Sequence, residues 1–229
     1  MKPLFILDWD DSLRRNYSAL DWVDYLHLHH IYGEGDYAKH DAGIQEYKKT
    51  GDYGKFVNGY AKLYTKALEG QKVNTIERMA DDFAVKELDK LSKYTVELLE
   101  YCSSRRINLF VLSGSPAVVL EAFFKKYHPL EIDGLRPDID KNSIYTGTIV
   151  NLSGGGSHKQ KVFDSVRDSS QTIITIGDSI SDKYLLENAD ISIQVGSKIE
   201  LQGRPNLLKV DHDTDARVLI EFIEERLPV

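Results

Sequence analysis

Two aspartates, Asp8 and Asp10, come directly after the apolar run Leu4 to Leu7 and are the first candidates for chemistry in the chain. Side chains two residues apart in an extended segment point to the same side, so we expect these two carboxylates to lie close together. Carboxylates that close repel each other unless a cation or a proton neutralises part of their charge. The pair therefore predicts a metal site at the end of the first strand.

A second group of residues can hold an anion. Ser113 and Gly114 follow the apolar run 107–112, and a hydroxyl together with the free backbone amides of a following helix would bind a phosphate group. Lys159 stands at the start of another predicted helix, where its charge can neutralise phosphoryl oxygens. Lys161, two residues later, is the alternative to Lys159. These residues predict a phosphate site.

Two more carboxylates, Asp178 and Asp182, follow the apolar run 172–176 and stand about one helical turn apart. Such oxygen ligands suit Mg²⁺, which binds one or two carboxylates together with water and substrate phosphate. Each of these signals is weak when taken singly. Their occurrence in this order, each after the right kind of element, indicates one shared site.

The elements that must position these residues follow from the alternation of apolar runs with helical patterns. Strands are predicted at 4–7, 107–112, 172–176, 191–195 and 207–210, and helices at 93–104, 116–127, 158–167, 181–188 and 214–226. This alternation predicts an α/β fold, a Rossmann-like, mostly parallel sheet covered on both faces. Ligands bind such sheets beyond the carboxyl ends of the strands, where the candidate residues fall.

The stretch 14–90 contains no strand pattern and is too long to be a loop. Helices are predicted at 18–31, 41–50, 53–69 and 74–90, which indicates a small all-helical cap domain over the site. We therefore predict a catalytic core at 1–15 and 92–229 and a cap domain at 16–91. Within the core, residues 143–150 alternate at period two and predict an edge strand. Substrate-facing candidates in the cap are Glu34, Asp36, Tyr37 and Arg78.

The order of the candidate residues resembles the four motifs of the haloacid dehalogenase-like (HAD) hydrolases. The matching positions are Asp8-x-Asp10-x-Ser12, Ser113, Lys159 and Gly177-Asp178-Ser179-x-x-Asp182. The resemblance covers the predicted core, and a helical insertion between the first two motifs is similar to the phosphoserine-phosphatase-like branch. Two mild departures are Ser12, where threonine is commoner, and Asp11, where glycine is frequent.

The resemblance implies a role for each matched residue. Asp8 would attack phosphorus and become an aspartyl phosphate, and Asp10 would protonate the leaving alcohol and then activate the hydrolytic water. The implied cofactor is Mg²⁺, held by Asp8, Asp178 and the backbone carbonyl of Asp10. The implied phosphate-binding residues are Ser113, Gly114 and Lys159, and the supporting residues are Ser12, Ser179 and Asp182.

The resemblance predicts a Mg²⁺-dependent phosphatase acting on a small phosphorylated metabolite that the cap selects. One alternative is a phosphotransferase, which would pass the aspartyl phosphate to an acceptor alcohol. Another is a phosphorylatable signalling module, which needs neither a proton donor at Asp10 nor a large helical insertion. Arg14 and Arg15 could meet an anionic substrate or could equally be surface charges.

Composition narrows the range of partners and compartments. A net charge of −7 argues against a nucleic-acid partner, which normally requires a basic face. The amino terminus lacks the pattern of a signal peptide, and no apolar run reaches the ~18 residues of a membrane span. The chain has one cysteine, which excludes an internal disulfide. We expect a cytoplasmic enzyme, either a monomer or a homodimer, that binds no membrane.

Overall fold

Seven strands in the described part of the chain form one sheet. The computed structural model describes residues 2–167 and 171–227. Its strands are β1 (Leu4–Leu7), β2 (Asn108–Pro116), β3 (Glu131–Ile139), β4 (Tyr145–Asn151), β5 (Ile173–Gly177), β6 (Ile191–Val195) and β7 (Leu207–Val210). They lie in the order β4-β3-β2-β1-β5-β6-β7, and every neighbouring pair is parallel except β3 and β4. The predicted α/β fold is confirmed.

Helices cover the sheet and fill the stretch between its first two strands. Those between β1 and β2 are α1 (Ser18–Leu28), α2 (Glu34–Thr50), α3 (Tyr53–Leu68), α4 (Val73–Lys86) and α5 (Thr95–Ser104). Those after β2 are α6 (Ala117–Phe124), α7 (Gly156–Val166), α8 (Lys183–Asn188) and α9 (Ala216–Glu224). None of the helices in the described ranges combines the length and apolar character that a membrane crossing requires.

The central strand β1 is buried on both faces because it packs against two different layers. Phe5 and Leu7 join an apolar cluster that includes residues of α5 and α9. Leu4 and Ile6 point the opposite way and join a second cluster that includes residues of α7 and α8. Because both faces of the central strand are covered, every one of its residues must be apolar, as in Leu4 to Leu7.

Helices α1 to α4, which we call the cap, have their own apolar core. That core contains Trp22, Tyr64, Ile76 and Phe83, and it continues into Val119, Leu135 and Tyr145 of the sheet and its covering helix. The cap thus packs directly onto the β2–β3–β4 side of the molecule. The boundaries of the core and cap domains stay a prediction. Met1, residues 168–170 and residues 228–229 of the predicted core lie outside the described residues.

Arg14 is fully buried, and its guanidinium pairs with the carboxylates of Asp21 in α1 and Glu87 after α4. Its backbone also bridges to Leu91, where the chain returns from the cap. Arg14 therefore ties the two ends of the cap to the loop after β1, and its role is structural. Arg15 is half-exposed and pairs with Asp213.

Three elements differ from the sequence prediction. β2 continues to Pro116 instead of ending at 112, because a residue that precedes proline is kept out of the helical region. α2 begins at Glu34 rather than at 41, with acidic residues in its first turn that suit a helix amino terminus. β3 was not predicted, since Glu131, Asp133 and Arg136 break its apolar pattern. The predicted edge strand at 143–150 is confirmed as β4.

The loop between β4 and α7 touches the backbone of β2 at one glycine. Gly154 has φ +99°, and a Cβ added there would lie 2.5 Å from the Cα of Gly114. Only a glycine permits both this conformation and this approach. The contact fixes the start of α7, which carries Lys159, against the predicted phosphate-binding residue Gly114.

Replacing Gly154 by alanine should lower the free energy of unfolding by about 1 to 3 kcal/mol, because the new Cβ meets backbone and the φ angle becomes strained. Gly155→Ala is the matched control, since a Cβ there meets nothing within 4 Å, and it should change stability by less than about 0.5 kcal/mol. Urea unfolding measures both variants. Equal losses in the two would contradict the role given to the Gly154 contact.

Candidate active site

Asp8 lies at the carboxyl end of β1, beside the end of β5. It is buried, and each of its two carboxylate oxygens accepts one hydrogen bond: Oδ2 from Ser12 Oγ at 2.8 Å and Oδ1 from Lys159 Nζ at 2.6 Å. Burial raises the pKa of Asp8 well above its ordinary value, the Asp182 carboxylate adds to this, and Lys159 opposes it. Asp8 is thus a desolvated carboxylate held in a fixed orientation by a hydroxyl and an ammonium group.

Lys159 lies between two buried carboxylates. Its Nζ donates to Asp8 Oδ1 and to Asp182 Oδ1, both at 2.6 Å. Burial acts against the charge, but the Asp182 and Asp8 carboxylates outweigh it and raise the pKa of Lys159. Lys161, the alternative lysine, is exposed. The structure therefore brings Lys159 to the site and leaves Lys161 on the surface.

Asp182 is itself held by the turn that follows β5. Its Oδ2 accepts a hydrogen bond from Ser179 Oγ at 2.7 Å and one from Ser179 N at 3.2 Å. A Cβ on Gly177 would lie 2.5 Å from the Cβ of Asp182, so the tight packing of this turn requires a glycine. Ser179 and Gly177 together fix the carboxylate that faces Lys159.

Three carboxylates form an acidic cluster at this edge of the sheet. Asp8, Asp178 and Asp182 each offer one oxygen, and these oxygens lie within 4.8 Å of one another. Hard carboxylate oxygens at this spacing are the donor set that a divalent cation such as Mg²⁺ takes. On the other side of Asp178, Lys198 Nζ donates to its Oδ2 at 2.5 Å.

Asp10 lies in different surroundings from Asp8. Its Oδ1 accepts a hydrogen bond from Ser18 N at 2.7 Å, and its Oδ2 accepts one from Ser115 Oγ at 2.5 Å. Burial raises the pKa of Asp10, and the hydrogen bonds from Ser115 and Ser18 partly offset that rise. Asp10 is thus a carboxyl group with neutral hydrogen-bond partners that can hold or release a proton.

The residues between and after these two aspartates point away from Asp8. Trp9 is buried and packs its ring against Phe123 at 4.7 Å and Phe124 at 5.3 Å between centroids. Asp11 accepts hydrogen bonds from Asn16 N and Lys198 Nζ, both at 2.7 Å. The side chains of Trp9 and Asp11 thus contact other groups, and the catalytic roles of Asp8 and Asp10 stay a prediction.

Ser113 and Gly114 lie within β2 rather than at the start of a helix. Ser113 is buried, and its Oγ accepts a long hydrogen bond from Ser115 N at 3.3 Å. A Cβ added to Gly114 would lie 3.6 Å from backbone atoms of Ser153 and Gly154 and 3.7 Å from the Tyr53 hydroxyl of the cap. The expected phosphate site at a helix amino terminus is therefore wrong in its geometry, and the role of Ser113 and Gly114 in binding phosphate stays a prediction.

Sequence reasoning missed four residues of this site: Ser18, Ser115, Lys198 and Tyr53. Lys198 follows β6, as Asp8 follows β1 and Asp178 follows β5. Its position after a strand could therefore have predicted that it lies at the same edge of the sheet. Ser115 is two residues from Ser113, but its local sequence does not indicate that its hydroxyl contacts Asp10. Ser18 and Tyr53 belong to the cap, and nothing in their local sequence indicates that they reach the sheet.

The sequence matches no known family model and no curated protein. Solved structures do resemble the chain. A protein of unknown function from Bordetella pertussis Tohama I has a TM-score of 0.68 and 16% identity, and the match covers 85% of this chain and 90% of that chain. A phosphoserine phosphatase from T. onnurineus has a TM-score of 0.56 and 20% identity, covering 99% of this chain and 96% of that chain.

A third similar structure is a phospho-aspartyl intermediate analogue of phosphoserine phosphatase, with a TM-score of 0.54 and 14% identity, covering 96% of this chain and 98% of that chain. The similar structures also include a HAD family hydrolase. The chain therefore shares its fold with solved phosphoserine phosphatases and with a HAD family hydrolase, and the predicted resemblance is confirmed at the level of the fold.

Replacing Lys159 by methionine should lower the free energy of unfolding by about 3 to 5 kcal/mol at pH 7 in EDTA, because two buried carboxylates lose their shared cation. The loss should shrink at pH 5. Lys159 lowers the pKa of Asp8, so its removal raises that pKa further, and the variant therefore gains more stability than the unmodified protein as the pH falls.

The control for Lys159→Met is Lys161→Met, which removes an exposed charge from the same helix and should change stability by less than about 0.5 kcal/mol. Urea unfolding at both pH values compares the two variants. Similar losses for the two lysines, or a loss for Lys159→Met that does not depend on pH, would contradict the proposed ion-pair arrangement.

Proposed function

We propose that the protein is a Mg²⁺-dependent phosphatase that hydrolyses a small phosphate monoester through an aspartyl phosphate, a mixed anhydride, formed on Asp8. The observation that supports this most directly is the placing of one buried carboxylate, Asp8, against a buried ammonium, Lys159, within an acidic cluster. Phosphoryl transfer is chiefly positioning and neutralisation of charge, and this arrangement supplies both. The fold shared with phosphoserine phosphatases, one of them solved as a phospho-aspartyl intermediate analogue, supports the same chemistry.

In this proposal the Oδ2 or Oδ1 of Asp8 attacks phosphorus in line with the leaving alcohol. Ser12 and Lys159 hold the carboxylate in one orientation, so that little reorganisation is needed at the moment of attack. Lys159 also carries the positive charge that the transferred phosphoryl oxygens need. The backbone amides of Ser113 and Gly114, in the strand β2 that pairs with β1, would donate to those oxygens.

Asp10 is the proposed proton donor and acceptor. Its oxygens are held by Ser18 and Ser115 rather than by a cation, and burial keeps its pKa above the ordinary range. A carboxyl group in such a setting protonates the leaving alcohol oxygen and then takes a proton from the attacking water. Two carboxyl groups two residues apart thereby take different roles because their surroundings differ.

The residues present fit a magnesium ion. Asp8 and Asp178 would hold it together with the backbone carbonyl of Asp10, and Asp182 with Ser179 would order its surroundings. When bound, Mg²⁺ would supply positive charge that lowers the repulsion between the Asp8 carboxylate and an approaching phosphate dianion. Lys198, at 2.5 Å from Asp178 Oδ2 and 47% exposed at its side chain, occupies the outer side of that carboxylate.

Phosphate release from p-nitrophenyl phosphate tests the proposal. The protein with Mg²⁺ should release phosphate, EDTA should stop the reaction, and Asp8→Asn should remove it to the limit of detection because the amide is no nucleophile. Asp10→Asn should lower kcat by about a hundredfold to ten-thousandfold, which is the usual contribution of general acid–base catalysis to the rate.

Asp11→Asn is the matched neighbour, since its carboxylate contacts Asn16 and Lys198 instead of Asp8. Its loss of activity should be far smaller than that of Asp10→Asn. Undiminished turnover in Asp8→Asn would rule out the mechanism. A larger loss from Asp11→Asn than from Asp10→Asn would mean that the motif is displaced by one residue.

A further inference from the structure

Lys198 is a lysine of the candidate site to which the proposed mechanism gives no role. It follows β6, and its Nζ donates to Asp178 Oδ2 at 2.5 Å and to Asp11 Oδ2 at 2.7 Å. The same Nζ lies 5.6 Å from the centre of the Tyr17 ring. An ammonium group with two carboxylate partners is charged at neutral pH. Lys198 therefore adds a positive charge directly beside a proposed magnesium ligand.

The loop that carries Lys198 is held in place by the strand that precedes it. Gly196, at φ +67°, turns the chain directly after β6. Gln194 Nε2, from within β6, donates to the backbone carbonyl of Ile199 at 2.8 Å, and the side chain of Ile199 is buried. The backbone on both sides of Lys198 is thus fixed, so the position of the ammonium charge follows from the fold.

Asp11, the other partner of Lys198, has a backbone conformation that suits glycine. Its φ of +52° lies in the left-handed region, which glycine enters freely and residues with a side chain enter less readily. The carboxylate is held at both oxygens, because Oδ1 accepts a hydrogen bond from Asn16 N at 2.7 Å and Oδ2 accepts the one from Lys198. A glycine at this position would relax the backbone but would leave Lys198 without this counter-charge.

Two lysines divide the carboxylates of the acidic cluster between them. Lys159 bonds Asp8 and Asp182, whereas Lys198 bonds Asp178. A carboxylate that already faces an ammonium group attracts a further cation less strongly. A carboxylate that bonds a metal ligand makes that ligand more basic, and a cation in the same place has the opposite effect. The charge of Lys198 therefore lowers the attraction of Asp178 for Mg²⁺.

We propose that Lys198 and Asp11 set the affinity of the site for Mg²⁺ in opposite directions: the charge of Lys198 weakens binding, and the charge of Asp11 strengthens it by neutralising Lys198. Both residues act through Asp178 and not on the substrate. The proposal rests on the proposed function, in which Asp178 is a magnesium ligand. The concentration of Mg²⁺ that the enzyme needs is then set by a salt bridge outside the acidic cluster.

Calorimetric titration of the protein with MgCl₂ at pH 7.5 tests the proposal. In Lys198→Met the dissociation constant of Mg²⁺ should fall by about tenfold, because a positive charge beside Asp178 is lost. In Asp11→Asn it should rise by about threefold to tenfold, because the counter-charge of Lys198 is lost. The double variant should lie within about threefold of the unmodified protein, because the two changes of charge cancel.

Three further variants separate the charge of Lys198 from its hydrogen bond and from the net charge of the protein. Lys198→Gln keeps a donor without the charge and should show the same fall as Lys198→Met, which it replaces if the methionine variant does not fold. Lys198→Arg keeps the charge and should stay within about threefold of the unmodified protein. Lys209→Met removes an exposed charge from β7, which β6 separates from β5, and should leave the dissociation constant unchanged. His212, 4.0 Å from Asp11 Oδ1, is neutral at pH 7.5 because burial lowers its pKa.

The direction of the two shifts distinguishes this proposal from a purely structural salt bridge. If the pair only held the loop after β6 in place, Lys198→Met and Asp11→Asn would both weaken Mg²⁺ binding, and that result would overturn the proposal even in an active phosphatase. Opposite shifts in a protein that releases no phosphate from p-nitrophenyl phosphate would support this proposal and overturn the proposed activity. Absence of Mg²⁺ binding to the unmodified protein would overturn both.

Discussion

The ammonium group of Lys159, placed between the carboxylates of Asp8 and Asp182, is the interaction on which the rest of the site depends. Its three members come from the end of β1, the first turn of α7 and the turn after β5. Burying isolated charges this deeply would cost several kcal/mol each, so each member requires the other two. The parallel pairing of Leu7 with Ile176 brings two of these strand ends together, and the contact of Gly154 with Gly114 fixes the third.

The chemistry proposed here depends on giving two nearby carboxyl groups different surroundings. Asp8 faces a cation and the other carboxylates of the acidic cluster, whereas Asp10 faces a backbone amide and hydroxyl groups. The cap contributes to that difference through Ser18, the first residue of α1. The cap therefore donates a hydrogen bond to the proposed proton donor Asp10, and Arg14 anchors both ends of the cap.

Much of this arrangement could be predicted from the sequence because its causes are local. Fully apolar runs identify strands buried on both faces, and β1, β5 and β6 all follow that pattern. Parallel strands end at the same edge of the sheet, so residues such as Asp8 and Asp178 could be assigned to one site before any coordinates were known. The helical character of the cap followed from the absence of any strand pattern.

The remaining features depend on tertiary packing that local sequence does not encode. β3 has a mixed sequence and is a strand only because β2 and β4 pair with it on either side. Arg14 is close to the first motif, and the sequence alone allowed it to be a substrate-binding residue. The carboxylates that pair with it belong to Asp21 and Glu87, and the second of these is far away in the sequence. The burial of His40 and Tyr60, whose side-chain polar atoms find no partner among the described residues, likewise arises only from the packing of α2 against α3.

The central claim is that Asp8 carries the phosphoryl group during turnover. Acid quenching of the protein with Mg²⁺ and excess p-nitrophenyl phosphate, followed by borohydride reduction, converts an aspartyl phosphate into homoserine that mass spectrometry can locate. The account predicts homoserine at position 8 in the peptide that contains the first motif. Homoserine at position 10, 11, 178 or 182 instead of position 8 would contradict it.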